Sequence, residues 1–210
     1  MTEYDVLRKM MEIKQELLLI IKSGKSKYFE EEINSLYIEY LKLYVQVSER
    51  IPKYNSLDLK FKGTRHNCYF YALDFAIPQV FDDAMSSIGY NRLENSVGII
   101  SSGMPIWEIN RTNLLDKFYA DMDTLNIKVY NSDKYSCNIH DGYKVGIYID
   151  DNSISNDYHF VRENSNGNFS HKCGYFSRPE LLTCLRDIIR TDYYYELIKT
   201  VELVKPTIKR

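Results

Sequence analysis

"YKVGIYIDDNSISNDYHFVRENSNGNFSHK", residues 143–172, decides the fold. Residues 143–150 and 158–163 are rich in β-branched and aromatic side chains, and turn residues separate them, which is the pattern of short strands. "NSNGN" at 164–168 reads as a hairpin turn, because Asn and Gly accept positive φ. "FSHK" at 169–172 then reads as the return strand, and "IKVY" at 127–130 adds a strand ahead of the group. Side chains alternate between faces along a strand, so His159 and Val161 share one face and Phe160 and Arg162 the other. With the turn closing near Asn166 and Gly167, His171 stands close to His159 across the ladder.

Working outward, the period upstream is helical. Val6, Met10, Ile13, Leu17 and Ile20 recur at steps of three or four, one face of a helix over about 3–22 that Gly24 ends. A second helical pattern runs from about Ser26 to Arg50, with Tyr37, Tyr40, Leu41 and Tyr44 at similar steps, and Pro52 ends it. Residues 1–52 therefore read as a helical hairpin. The polar, turn-rich stretch at 53–66 opens a second unit, 53–210. In that unit "NCYFYALDFA" begins a short helix, Pro78 interrupts it, and "QVFDDAMSSIGY" forms another. "RTNLLDKFYADMDTLNI" at 111–127 is amphipathic, with Thr112 as a cap candidate. "SRPELLTCLRDIIR" at 177–190 reads as a helix with Pro179 in its first turn. Residues 193–204 fit strand and helix equally. Helices first and a small, mostly antiparallel sheet afterwards make an α+β protein rather than an alternating βαβ one.

Composition narrows the function classes. A net charge of -2 with pI near 6.1 gives no electrostatic footprint for nucleic acid. No run approaches the roughly 18 apolar residues of a membrane span. The N-terminus lacks a positive leader and a small-residue cleavage site, so a cytoplasmic protein is expected. Cys68, Cys137, Cys173 and Cys184 contain no C-x-x-C pair and read as free thiols. No phosphate loop, dinucleotide fingerprint or EF-hand is present, so no cofactor is expected.

Cys68 follows Asn67 and opens an apolar stretch, which places it near a helix N-terminus. There the helix dipole and free N–H groups favour a thiolate and an oxyanion. One imidazole of the hairpin would be its base, and the second would hold the first in its tautomer and orientation.

The order Cys, His, then a polar residue about twelve positions later, with the Cys opening a helix and the other two on adjacent strands, resembles NlpC-type hydrolases of the papain-like superfamily. "NCYFYAL" and "DYHFVRENSNGNFSHKCG" carry the resemblance, which spans roughly 64–176. It implies a papain-like domain with a small antiparallel sheet packed on helices, and a cysteine peptidase or amidase acting through a thioester. Carried over, Cys68 is the nucleophile, His159 the base and His171 the orienter. The substrate would be a peptide or other amide. The competing reading is an inactive papain-like binding protein whose N-terminal hairpin is the interface, with a partner or a second copy.

Lesser candidates surround these three. Asp157 lies two residues before His159 and would share its face. His66 and Asn67 flank Cys68 and could serve substrate or oxyanion binding. Arg162, Glu163 and Lys172 read as surface or rim residues. Cys137, His140, His171 and Cys173 are donors of the types that zinc takes, but their spacing matches no strong motif, and no metal is expected.

Overall fold

The computed structural model describes residues 1–54, 67–89, 96–103, 106, 109–150, 156–174, 177–186, 188–189 and 194–208. The described residues form an α+β structure with six α-helices and one antiparallel sheet that curls as a half-barrel.

The first helix, α1 (Glu3–Lys22), starts in a capping box, with the Thr2 hydroxyl and the Asp5 carboxylate each bonding the other's backbone N–H. Its buried residues are the five of the sequence stripe: Val6, Met10, Ile13, Leu17 and Ile20. A 3-10 turn over Ser26–Phe29 leads into α2 (Glu30–Val47), and the pair forms the expected hairpin. α1 packs on α2 and on α4 (Gln79–Ser87). Tyr40 and Tyr37 of α2 bring their rings to 4.6 and 5.4 Å from Phe81 of α4. The hairpin's apolar face thereby joins the core that lies under the sheet. Between α2 and α4 stands α3 (Cys68–Ala72), and beyond them come α5 (Ile99–Ser102) and α6 (Arg111–Thr124). Asn110 rather than Thr112 caps α6, its side chain accepting from the Asn113 N–H at 2.9 Å.

The strands are β1 (Lys128–Ser132), β2 (Tyr143–Asp150), β3 (Asp157–Glu163), β4 (Phe169–Lys172), β5 (Pro179–Leu182), β6 (Ile188–Ile189) and β7 (Tyr194–Val204). The sheet order is β1-β7-β2-β3-β4-β5, with β6 paired to β7 and every pairing antiparallel. Both faces are covered. On one face Val145, Ile147, Phe160, Val201 and Leu203 join the helices in the main core. On the other, Tyr148, Val161, Phe169, Leu185, Ile188 and Tyr195 form a second, smaller cluster. This explains why β2 is buried at all eight positions and reads as an apolar run.

The helix expected at 177–190 is replaced by strand. Residues 179–182 pair with β4 in the register Lys172↔Pro179 to Phe169↔Leu182, and 188–189 pair with β7. The open edge of β4 offers unpaired backbone groups, and satisfying them outweighs the weak local helix preference. Pro179 sits at the start of an edge strand, where its missing N–H costs no ladder bond. The stretch that fitted both periods is the eleven-residue β7, which lies between β1 and β2. No helix among the described residues is long and apolar enough to cross a membrane.

Candidate active site

The stretch "NCYFYAL" folds as a short helix because Asn67 caps it, its Oδ1 accepting from the Phe70 N–H at 3.1 Å. Two aromatic side chains then fix α3 on the sheet. The Tyr69 ring packs 5.0 Å from Phe160, and its hydroxyl donates to Asp121 at 2.8 Å. The Tyr71 hydroxyl meets Ser170 at 2.7 Å. The Tyr71 ring also lies 4.0 Å beneath the Arg162 guanidinium, and that group donates to the Tyr71 carbonyl at 2.7 Å and to Asp74 at 2.9 Å. Arg162 and Asp74 are 1% and 2% exposed at their side chains, so Arg162 is not the rim residue its sequence suggested. Lys172 is likewise fully buried, and that burial lowers its pKa to about 8. Both residues fall on the face of the sheet that packs against helices, and their charged ends find carbonyl or carboxylate partners there.

This anchoring presses Cys68 against the backbone of β3. Its thiol donates to the Tyr158 carbonyl at 3.9 Å. Burial, reinforced by the negative charge of Asp157, pushes the Cys68 thiol up to about 12. The residue that opens the helix is therefore a thiol at neutral pH. No hydrogen bond joins it to either imidazole among the described residues.

The two histidines do meet. His159 Nε2 and His171 Nδ1 are 2.7 Å apart, with the ring planes perpendicular. Both residues are buried. They sit on the face of the second cluster, because Phe160 and Arg162 turn toward α3 and the alternate residues of β3 turn away. The β3–β4 ladder ends at Val161↔His171, and two residues further along the same register His159 faces Cys173. Cys173 Sγ accordingly lies 3.4 Å from His171 Nδ1. The other ring nitrogen of His171, Nε2, lies 3.8 Å from the Glu180 carboxylate on β5. The Tyr195 ring packs tilted against His159, with centroids 5.2 Å apart, and its hydroxyl donates to Asp157 at 2.6 Å. Asp157 thus reaches the His159 ring through Tyr195, and it shares the imidazoles' face as the alternation required.

Of the residues singled out in the sequence, the structure gathers His159, His171 and Asp157, and sets Cys68 beside the strand that carries His159. Asn67 is committed to capping α3. His66 lies outside the described residues. The four zinc-type donors do not converge. His140 bonds Glu202 of β7 and stacks on Tyr130 of β1, on the far side of β2 and β3 from β4. Glu180 and Tyr195 were not anticipated as neighbours of the imidazoles, whereas Cys173 was weighed with His171 as a pair of zinc-type donors. For Cys173 a signal existed, since in "HKC" a period of two puts residues 171 and 173 on one face.

No family model, curated protein or solved structure matches this chain.

Proposed function

We propose that the protein is a papain-like cysteine hydrolase acting on a peptide or other amide, with Cys68 as nucleophile, His159 as base and His171 as orienter. The observation that carries this reading is the 2.7 Å hydrogen bond between His159 Nε2 and His171 Nδ1. A base needs one ring nitrogen held and the other left to the nucleophile. With Nε2 of His159 committed to His171, Nδ1 is the nitrogen that exchanges a proton with the thiol. The direction of the chain follows. His159 Nε2–H donates to His171 Nδ1, and His171 Nε2–H faces Glu180.

The reaction begins from a thiol, not a preformed ion pair. The Cys68 side chain leaves the Tyr158 carbonyl and turns around β3 to the face of the imidazoles, where its proton passes to His159 Nδ1 as sulfur attacks the carbonyl carbon. The tetrahedral intermediate collapses to a thioester, and His159 returns the proton to the departing amine. Water, deprotonated by His159, then hydrolyses the thioester and regenerates the thiol.

The experiment is turnover of an amide and ester library by the purified chain, with intact mass spectrometry of the acylated protein. Cys68→Ala should abolish acylation, and His159→Ala should lower turnover by about 10²–10⁴, the range of general acid–base catalysis. Turnover that survives Cys68→Ala refutes the proposal.

A second reading, the inactive binding protein, has its own observation. The outer face of α1 leaves Tyr4, Met11 and Leu19 74%, 60% and 69% exposed. Scattered apolar side chains are ordinary, but an apolar helix face suits an interface. Light scattering on the full chain and on Met11→Glu tests it. A monomer in both, together with measurable turnover, disposes of this reading.

A further inference from the structure

We propose that His159, His171 and Cys173 form a binding site for a divalent metal ion of the zinc type. Their ligand atoms all lie within 4.8 Å of one another, and both imidazoles are buried. Two imidazoles and a thiolate are a donor set that such ions prefer to calcium or magnesium. Two of the three donor separations approach those a metal imposes. Tetrahedral zinc, with bonds of about 2.0–2.1 Å to nitrogen and about 2.3 Å to sulfur, sets N···S near 3.6 Å and N···N near 3.4 Å. Here His171 Nδ1 and Cys173 Sγ are 3.4 Å apart. The imidazole nitrogens, at 2.7 Å, stand at hydrogen-bond length and would separate by about 0.7 Å to admit the ion.

The surroundings fit as well. A ligating histidine commonly directs its other nitrogen to a carboxylate, and His171 directs Nε2 to Glu180 at 3.8 Å. Tyr195 packs on the His159 ring and is itself tied to Asp157. Cys173 is half-buried and provides the approach from solvent, while the imidazoles lie behind it. Binding releases the Cys173 thiol proton and the proton shared between the imidazoles is confined to the outer nitrogens. Three protein ligands leave a fourth position for water or another donor.

A metal here bears on the hydrolase, in a consequence that rests on the preceding proposal. Base and orienter would both be ligands, so an occupied site is a silent one, and metal and turnover exclude each other.

The test uses the full-length chain, stripped with a chelator under reducing conditions, and Co2+ and Zn2+ as probes. One equivalent of Co2+ should give the intense visible bands of a tetrahedral ion and a thiolate charge-transfer band. Zn2+ should displace it stoichiometrically. Cys173→Ser should remove the charge-transfer band, and His171→Gln should weaken binding at least about tenfold, the lower end of what even an outer-shell loss costs. Cys137→Ser, on a segment that packs beside β1 and β7, should change neither. Absence of a tight equivalent overturns the proposal, and so does a charge-transfer band that survives Cys173→Ser. These readouts need no substrate. A chain that binds metal but, once stripped of it, turns nothing over sinks the hydrolase reading alone. A chain that turns over but binds no metal sinks this one alone.

Discussion

The burial of Cys68 has a measurable price in reactivity. Moving the thiol from its ordinary value of 9.0 to about 12 lowers the thiolate fraction at pH 7.5 by about a thousandfold. A more basic thiolate is a better nucleophile, and with a Brønsted coefficient of about 0.4–0.5 it regains roughly twentyfold. The net expectation is that Cys68 reacts with iodoacetamide about fiftyfold more slowly than a free thiol such as N-acetylcysteine. Its 6% exposure slows it further. Peptide mapping after timed labelling gives the rate for each cysteine separately. The exposed Cys137 and Cys184 serve as controls that must label first. The Cys68 rate should keep rising tenfold per pH unit beyond pH 9, where a free thiol levels off, and urea should bring it to the free-thiol rate. Labelling of folded Cys68 at the free-thiol rate, or a plateau near pH 9, would refute this account of its environment. It would also mean that the thiolate is preformed, as an ion pair with a histidine would make it.

Three other outcomes follow from the packing. Asp74→Asn keeps a residue tolerant of the positive φ of 60° there, but leaves the buried Arg162 guanidinium without its carboxylate. The cost should be about 3–5 kcal/mol by urea unfolding, and Asp74→Asn with Arg162→Met together should recover part of it. Gly142→Ala would drive a Cβ into the Leu203 carbonyl oxygen where β2 begins beside β7, and should cost about 1–3 kcal/mol and several degrees of Tm. Lys172 has a folded pKa depressed by burial to about 8, so between about pH 8 and 10.5 the unfolded chain binds more protons and stability rises with pH on its account. Lys172→Met should therefore be more stable than wild type at pH 7 by about 1–2 kcal/mol. Thermal scans should show the gap closing by pH 10, and a gap independent of pH would contradict the assignment.

The residues that were legible in the sequence are those whose partners are near in the chain or fixed by periodicity. The α1 stripe, the helix start at Cys68 and the 159–171 hairpin depend on local spacing and turn chemistry alone, and each is formed. The misread residues depend on distant partners. Residues 179–182 look helical until the open edge of β4 is known. Arg162 and Lys172 look solvent-exposed until Asp74 and the Tyr71 and Gly174 carbonyls are seen around them. For the candidate site, alternation along β3 and β4 brought the two imidazoles together. What spacing did not convey was which way α3 would present Cys68, since that depends on Tyr69 and Tyr71 locking onto Asp121 and Ser170.

The position of β7 has a consequence for how the molecule is made. It is the last strand in the sequence, yet it lies between β1 and β2 and pairs with both. During synthesis the long edge of β2 therefore waits without a neighbour while all the other strands have already emerged. A chain cut short ahead of residue 194 would keep its helical hairpin and the imidazole-bearing strands, but would display an apolar, unpaired β-edge to its surroundings. Such fragments are candidates for chaperone capture and aggregation, and the full sheet, with the histidine pair on β3 and β4, closes only once residues 194–204 have emerged.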